Sequence, residues 1–129
     1  MTEREISSFE DLECYKSCKL LRVEISNIIK SMPAIEQYRL SDQMSRCSRS
    51  VTNNIAEGYG RYHFKENAQF CRQSRGSLYE LLDHLQIALE EKYIEEKKYI
   101  ELKDLSNKSI RILNGYINYL VSQIKPNNQ

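Results

Sequence analysis

Residues Arg46 to Arg61 read RCSRSVTNNIAEGYGR, with apolar residues at helical spacing, a polar row beside them and two glycines where the run stops. Cys47, Val51 and Ile55 recur every fourth residue and continue back through Met44 and Leu40, so one face of a helix is apolar. At about 100° per residue, Gln43, Arg46, Ser50, Asn54 and Glu57 fall within an arc of roughly 80° beside that face and not opposite it. A polar row in that position is placed to meet a neighbouring helix. Arg49 and Asn53 point further out, toward water. Gly58 and Gly60 are expected to supply left-handed backbone conformations that close the helix and turn the chain.

Upstream, Asp11 is expected to cap a first helix over residues 11–31. Within it Cys14, Cys18, Leu21, Ile25, Ile28 and Met32 step alternately by four and three residues, a heptad seam. Pro33 ends this helix and opens the second, over residues 34–57, so the link is short and the two helices are antiparallel neighbours. Downstream, a third helix over residues 65–91 carries a wide apolar arc. Cys71, Leu78, Leu82, Leu85 and Leu89 form one line, and Phe70, Ser74, Ser77, Leu81 and Ala88 the next. Gly76 lies off that arc. A mid-helix glycine costs about 1 kcal/mol against alanine, so a close backbone approach is expected on its side. A fourth helix over residues 95–123 has two seams, one through Leu102, Leu105, Ser109, Ile112, Tyr116 and Tyr119, the other through Ile110, Leu113, Ile117, Leu120 and Ile124. The closing PNNQ reads as a frayed end.

Four helices with short links predict an all-α fold: an antiparallel up-down-up-down four-helix bundle, left-handed, forming a single domain over residues 1–129. The apolar arcs of the third and fourth helices are wider than a monomer requires and predict self-association.

Composition agrees. Only four Gly and two Pro interrupt 129 residues that are 40% hydrophobic. Charged side chains nearly cancel, leaving a formal net charge of +1, so bulk charge argues neither for nor against a polyanionic partner. No apolar run reaches the roughly 18 residues that a membrane span needs, and the opening MTEREISSFEDLE is unlike a secretory leader, so a cytoplasmic protein with no membrane contact is expected. Cys14, Cys18, Cys47 and Cys71 form no CxxC pair and fall on apolar helix positions, where they read as small buried hydrophobes. A metal site built from Cys14 and Cys18 with His63 or His84 lacks zinc-ligand spacing; neither metal nor cofactor is expected.

The stretch QMSRCSRSVTNNIAEGYGR, followed by FCRQSRGSLYELLDHLQIAL, resembles the bacterial four-helix bundle proteins encoded in intervening sequences of 23S ribosomal RNA genes, once labelled ribosomal proteins. The similarity covers nearly the whole chain, from Phe9 and Leu12 through the Pro33, Glu36 and Leu40 spacing to the last helix. Its sharpest part is the run Asn54, Ile55, Ala56, Glu57, Gly58, with Gln43, Arg46 and Ser50 before it and Gly76, Ser77, Leu78, Glu80 and Leu81 after it. Ser74 stands where the family often has alanine, and Thr52 and Asn53 where a proline-type residue often occurs. The resemblance implies an antiparallel bundle that assembles as a homopentamer, with a poorly defined function. A related branch is the accessory variability protein of diversity-generating retroelements, where a basic pentamer holds nucleic acid and a reverse transcriptase. This chain is less basic than that role suggests.

Glu57 and Glu80 could be read as a catalytic acid and base, with His63 or His84 as a proton shuttle. A structural reading outweighs it. In a hairpin turning near residue 61, Arg46 comes within about one turn of Glu80 and Gln43 lies opposite, so Arg46, Glu80, Gln43, Ser50, Asn54 and Glu57 are expected to form a polar network that fixes helix register. GYGR has no preceding strand and no phosphate-loop pattern, and it reads as a helix end. No enzyme is expected.

Charge distribution gives a better lead. Residues 46–76 hold six basic side chains against two acidic ones, a local net of +4, whereas residues 80–104 hold eight acidic against four basic, a local net of −4. In an up-down bundle those segments place opposite charge at opposite ends. Repeated around a ring, the basic ends would form a rim for RNA or DNA, with Arg49, Arg61, Lys65, Arg72 and Arg75 on phosphates and Tyr59 and Tyr62 stacking on bases. The competing class is a protein-binding scaffold or accessory subunit without nucleic-acid contact, in which the tyrosine-rich end docks a protein such as a reverse transcriptase. A specific polypeptide recovered by pull-down regardless of nuclease treatment would favour that class.

Overall fold

The computed structural model describes residues 6–126, and in it the apolar seams become four helices: α1 (Glu13–Ile29), α2 (Leu40–Tyr59), α3 (Phe64–Glu90) and α4 (Glu96–Ser122). Short 3-10 turns at Phe9–Asp11 and Ala34–Glu36 precede α1 and α2. No strand occurs among the described residues, and none of their helices is long and apolar enough to cross a membrane. The last three residues of the tail expected to fray, 127–129, lie outside the described residues.

Side-chain contacts fix the directions. Along α2 from Cys47 through Val51 to Gly58, the partners on α3 run backward from Ser77 through Ser74 to Phe70 and Asn67. The same reversal relates α1 to α2, where Arg22 reaches Thr52 and Met32 meets Ser41. It relates α3 to α4 through Asn67 with Tyr116 and Gln86 with Tyr99, and α4 to α1 through Ser109 with Ser17 and Lys98 with Glu24. Each helix packs on two antiparallel neighbours, the up-down-up-down arrangement that short links favour.

The core is the set of seams. Cys14, Cys18, Leu21, Ile25 and Ile28 of α1 and Leu40, Met44, Cys47, Val51 and Ile55 of α2 are buried, as are Cys71, Leu78, Leu81 and Leu85 of α3. On α4 the line through Ile110, Leu113, Ile117 and Leu120 is buried, while Leu105, Ile112 and Tyr116 of its second line are half-buried and Tyr119 is exposed. Burying a leucine-sized side chain contributes about 1.5–3 kcal/mol, so these lines hold the bundle together.

Small hydroxyl residues lie among them. Ser74, 0% exposed, donates to the Val51 carbonyl at 2.7 Å, the hydroxyls of Ser17 and Ser109 share a 2.6 Å bond, and Ser106 donates to the Leu102 carbonyl at 2.8 Å. Each of these hydroxyls thereby keeps a partner while leaving little bulk between helices.

Several expectations at helix ends change. Asp11 does not cap α1, whose N-cap is Leu12; its carboxylate instead accepts from the amide and hydroxyl of Ser7, and those bonds hold its pKa below the usual aspartate value. α2 starts at Leu40 and not at residue 34, because Arg39, at φ −123° and ψ −108°, breaks the helical path after the 3-10 turn. Gly60 is right-handed at φ −74°, and no described glycine has a positive φ. The left-handed position is instead Lys92, φ 64°, just after α3. There Tyr93 N–H bonds the Ala88 carbonyl at 2.8 Å and Lys92 N–H the Leu89 carbonyl at 2.9 Å, a Schellman closure that usually takes glycine. Among the described residues no other helix and no side chain comes within 4 Å of where a Gly76 Cβ would sit, so the close approach expected there is not made by them.

Glu36 does the capping that sequence signals did not assign. One carboxylate oxygen accepts from the Leu40 amide at 3.2 Å, at the start of α2, and the other from the Tyr93 hydroxyl at 2.7 Å, across the bundle end. The Tyr93 and Leu40 bonds hold the Glu36 pKa below the usual glutamate value, and the same carboxylate pushes the Tyr93 phenol up to about 12. A carboxylate with a lowered folded-state pKa stabilises the fold above its unfolded pKa, and that contribution disappears as pH falls through the lowered value. Glu36→Ala is therefore expected to lower the melting temperature at pH 7, with the gap from the parent protein narrowing in melts taken below about pH 4. An unchanged gap across that range would mean that the cap carries no charge-dependent stability.

Candidate nucleic-acid interface

The polar row of α2 divides in three dimensions. Ser50 and Asn54 are half-buried at the α2–α3 seam, where the hydroxyls of Ser50 and Ser77 lie 2.9 Å apart and the Asn54 amide donates to the Ser50 carbonyl at 2.9 Å. Gln43, Arg46 and Glu57 are exposed. The expected Arg46–Glu80 bridge is not formed. Arg46 Nε donates to Asp42 on its own helix at 2.9 Å with 80% of its side chain exposed, and Glu80 faces His84 at 3.2 Å.

The register is close to the expected one, since Cys47 Sγ donates to the Ser77 carbonyl at 3.0 Å. What differs is direction around the helix. Arg46 stands about 100° from Cys47, on the water side, where a carboxylate four residues back satisfies it without desolvation. Ser74 is buried on the arc where the sequence places it, whereas sequence reading missed other buried polar residues, Ser48 and Thr52 on the α1 side of α2 and Asn67 on α3. Ser41, Ser48 and Thr52 border the apolar line at near-helical spacing, a signal available in the sequence.

The basic residues divide as well. Arg61 is held by Glu57 at 2.9 Å and lies over the Phe70 ring, 4.9 Å from its centre. Arg75 donates to the Asn114 side chain at 2.7 Å and is half-buried at the α3–α4 seam. Arg49 and Arg72 are exposed with no ion-pair partner among the described residues, and Lys65 is exposed at the start of α3.

Arg49 faces a groove of about 310 Å³ between α1 and α2, lined also by Arg22, Lys30, Ser26, Asn27, Ser45 and Ser48 and by no carboxylate. Arg22 is anchored there by donating to Thr52 Oγ1 at 2.8 Å. Arg22 and Lys30 lie far from the 46–76 segment in sequence and were not singled out by it.

At the bundle end where α2 turns into α3, a mainly apolar cavity of about 630 Å³ opens beneath Ile6 and Leu12. Its walls include Tyr59, Tyr62, Phe64, Tyr116 and Tyr119, with Arg61 and His63 at the same cavity. Tyr62 is 92% exposed and meets the His63 ring edge-on, whereas Tyr59 is half-buried and donates to the Ile6 carbonyl at 3.4 Å. Asn67 donates to the Tyr116 hydroxyl at 3.1 Å, and burial pushes the Tyr116 phenol up. Such rings offer flat apolar faces for stacking, and Asp11 and Glu13 on one wall temper the positive charge.

All four cysteines are free and buried. Burial raises every thiol above its ordinary range, Cys18, Cys47 and Cys71 to about 12, so the thiols stay protonated at neutral pH and are poor nucleophiles.

These features define an all-α bundle whose polar chemistry lies in surface grooves and at one end, with its interior filled by side chains. The chain belongs to the 23S rRNA-intervening sequence protein family, whose model matches residues 10–115. It is also similar to a crystal structure of a protein of unknown function from the S23 ribosomal protein family of Bacteroides thetaiotaomicron, with a TM-score of 0.75, 18% identity, and coverage of 81% of this chain and 95% of that one. At that identity the likeness concerns the fold alone. No curated protein matches the chain.

Proposed function

We propose that the protein is a non-enzymatic homo-oligomer, a pentamer, that binds RNA or DNA along its basic surfaces. The observation that carries this reading is the α1–α2 groove, where Arg22, Lys30 and Arg49 come together with hydroxyl and amide donors and no carboxylate. Phosphate needs that combination of concentrated cations and neutral hydrogen-bond donors. Arg72 and Lys65 are further exposed cations on α3, and Tyr62, in the wall of the aromatic cavity, supplies a ring for an unstacked base. Repetition around an oligomer multiplies weak patches through avidity.

Self-association is supported by large apolar side chains left exposed on helix surfaces, among them Leu20 and Val23 on α1, Tyr79 on α3 and Ile100 and Val121 on α4. Light scattering is expected to give a mass near five times 15.3 kDa, and a mass of one chain would overturn the oligomer. A labelled single-stranded oligonucleotide should shift with the purified protein at about 50 mM salt and lose most of its affinity by about 200 mM. No shift at the lower salt, alongside nuclease-resistant capture of one polypeptide, would replace this reading with the protein-scaffold one.

A further inference from the structure

Cys47 on α2 and Glu80 and His84 on α3 converge at one point of the seam. The Cys47 sulfur, a Glu80 carboxylate oxygen and a His84 ring nitrogen all lie within 4.8 Å of one another. Glu80 and His84 are one helical turn apart, which puts both side chains on the same stretch of α3, and Cys47 reaches them from α2 in the register set by its bond to the Ser77 carbonyl. The His84 side chain is only 9% exposed, and its Nδ1 is buried with no hydrogen-bond partner. The contact to Glu80 is made by the other ring nitrogen, Nε2, which is therefore the nitrogen that a cation between Glu80 and Cys47 takes. Glu80, with 60% of its side chain exposed, leaves the cluster open to solvent on one side.

We propose that Cys47, Glu80 and His84 form a binding site for a borderline-soft divalent cation, zinc in the first instance, that clamps α2 to α3. The donor set of one thiolate, one imidazole and one carboxylate suits Zn(II) and leaves a fourth position for water on the Glu80 side. The Glu80–His84 contact is already close to the required size. Two metal bonds of about 2.0–2.1 Å at a tetrahedral angle separate oxygen and nitrogen by about 3.3 Å, and the observed separation is 3.2 Å. Binding draws the sulfur inward, removes the thiol proton to solvent and breaks the 3.0 Å bond to Ser77.

A Cys–His–Glu trio could also be read as a nucleophile with its base. Burial, with the Glu80 charge adding to it, pushes the Cys47 thiol up to about 12, the opposite of what a nucleophile requires. A cation reverses that balance, because it supplies the positive charge that favours the thiolate.

The test is titration of the chelator-treated, full-length protein with Co(II) and then Zn(II), followed by absorption. One cobalt per chain should give tetrahedral visible bands and a thiolate-to-cobalt band in the near ultraviolet, both bleached by zinc. Cys47→Ser should abolish the thiolate band, whereas Cys14→Ser, Cys18→Ser and Cys71→Ser should keep it. His84→Gln and the surface change Glu80→Gln should each weaken binding by about tenfold or more. Glu80→Gln alters an exposed group and keeps the test decisive should a core variant fold poorly. Absence of the band, its survival in Cys47→Ser, or Glu80→Gln binding as tightly as the parent would overturn the proposal.

Discussion

Gly58→Val is expected to destabilise the protein by about 2–3 kcal/mol, seen as a lower denaturant midpoint with an unchanged slope. Gly58 is buried near the end of α2, with the first turns of α3 close beside it. A Cβ there would stand 2.7 Å from Asn67 Oδ1, 2.9 Å from Phe70 Cβ and 3.0 Å from the Asn67 carbonyl oxygen. The Asn67 side chain could swing away, at the loss of its 3.1 Å bond to Tyr116. The other two atoms belong to α3 itself and move only if the helices separate. Valine improves helix propensity over glycine by a few tenths of a kcal/mol, well below an overpacking cost of about 1–3 kcal/mol or more.

Gly76→Ala makes the contrast. Its Cβ meets nothing within 4 Å. Where that face is open to water, alanine should stabilise by about 0.5–1 kcal/mol. A Gly58→Val protein with the parent's midpoint would show that the helix approach is not tight.

Reversing the groove charges should affect nucleic-acid binding most. In Lys30→Glu with Arg49→Glu, each chain loses two cations that face the α1–α2 groove. Each phosphate contact releases roughly 0.9 counterion, worth about 1 kcal/mol near 0.15 M salt. Losing two contacts and adding repulsion should therefore lower oligonucleotide affinity by about 30-fold or more, and reduce the log–log salt slope by about 2 for each engaged subunit. Arg49 has no ion-pair partner among the described residues, and both side chains are exposed, so helix content and oligomeric mass should stay unchanged. Arg61→Ala provides a comparison. With its guanidinium already on Glu57 and Phe70, it should weaken binding less. Equal affinity of the parent and the doubly reversed protein at low salt would place the nucleic acid elsewhere or exclude it.

The helices were legible because their information is local. Spacings of three and four residues mark α1 to α4, and the core follows from those lines almost residue by residue. Pairs within the α2–α3 hairpin were partly legible, since a short link fixes register: Ser50 meets Ser77 and Cys47 meets the Ser77 carbonyl. The direction a side chain takes around its helix was harder. Arg46 turned to Asp42 because a local partner at a wet surface requires neither desolvation nor a particular helix rotation.

The amino-acid order alone thus determined four amphipathic helices, their antiparallel succession and the family resemblance. Tertiary structure decided what converges from separate helices: Arg22 and Lys30 with Arg49, Cys47 with Glu80 and His84, and the aromatic walls of the end cavity. It also gave Gly58 a different reason from the expected one, close helix contact and not a left-handed turn. The physical reason is that periodicity specifies which face of each helix is buried, whereas groups that share a site depend on the relative rotation and depth of two helices, which only their packed side chains set.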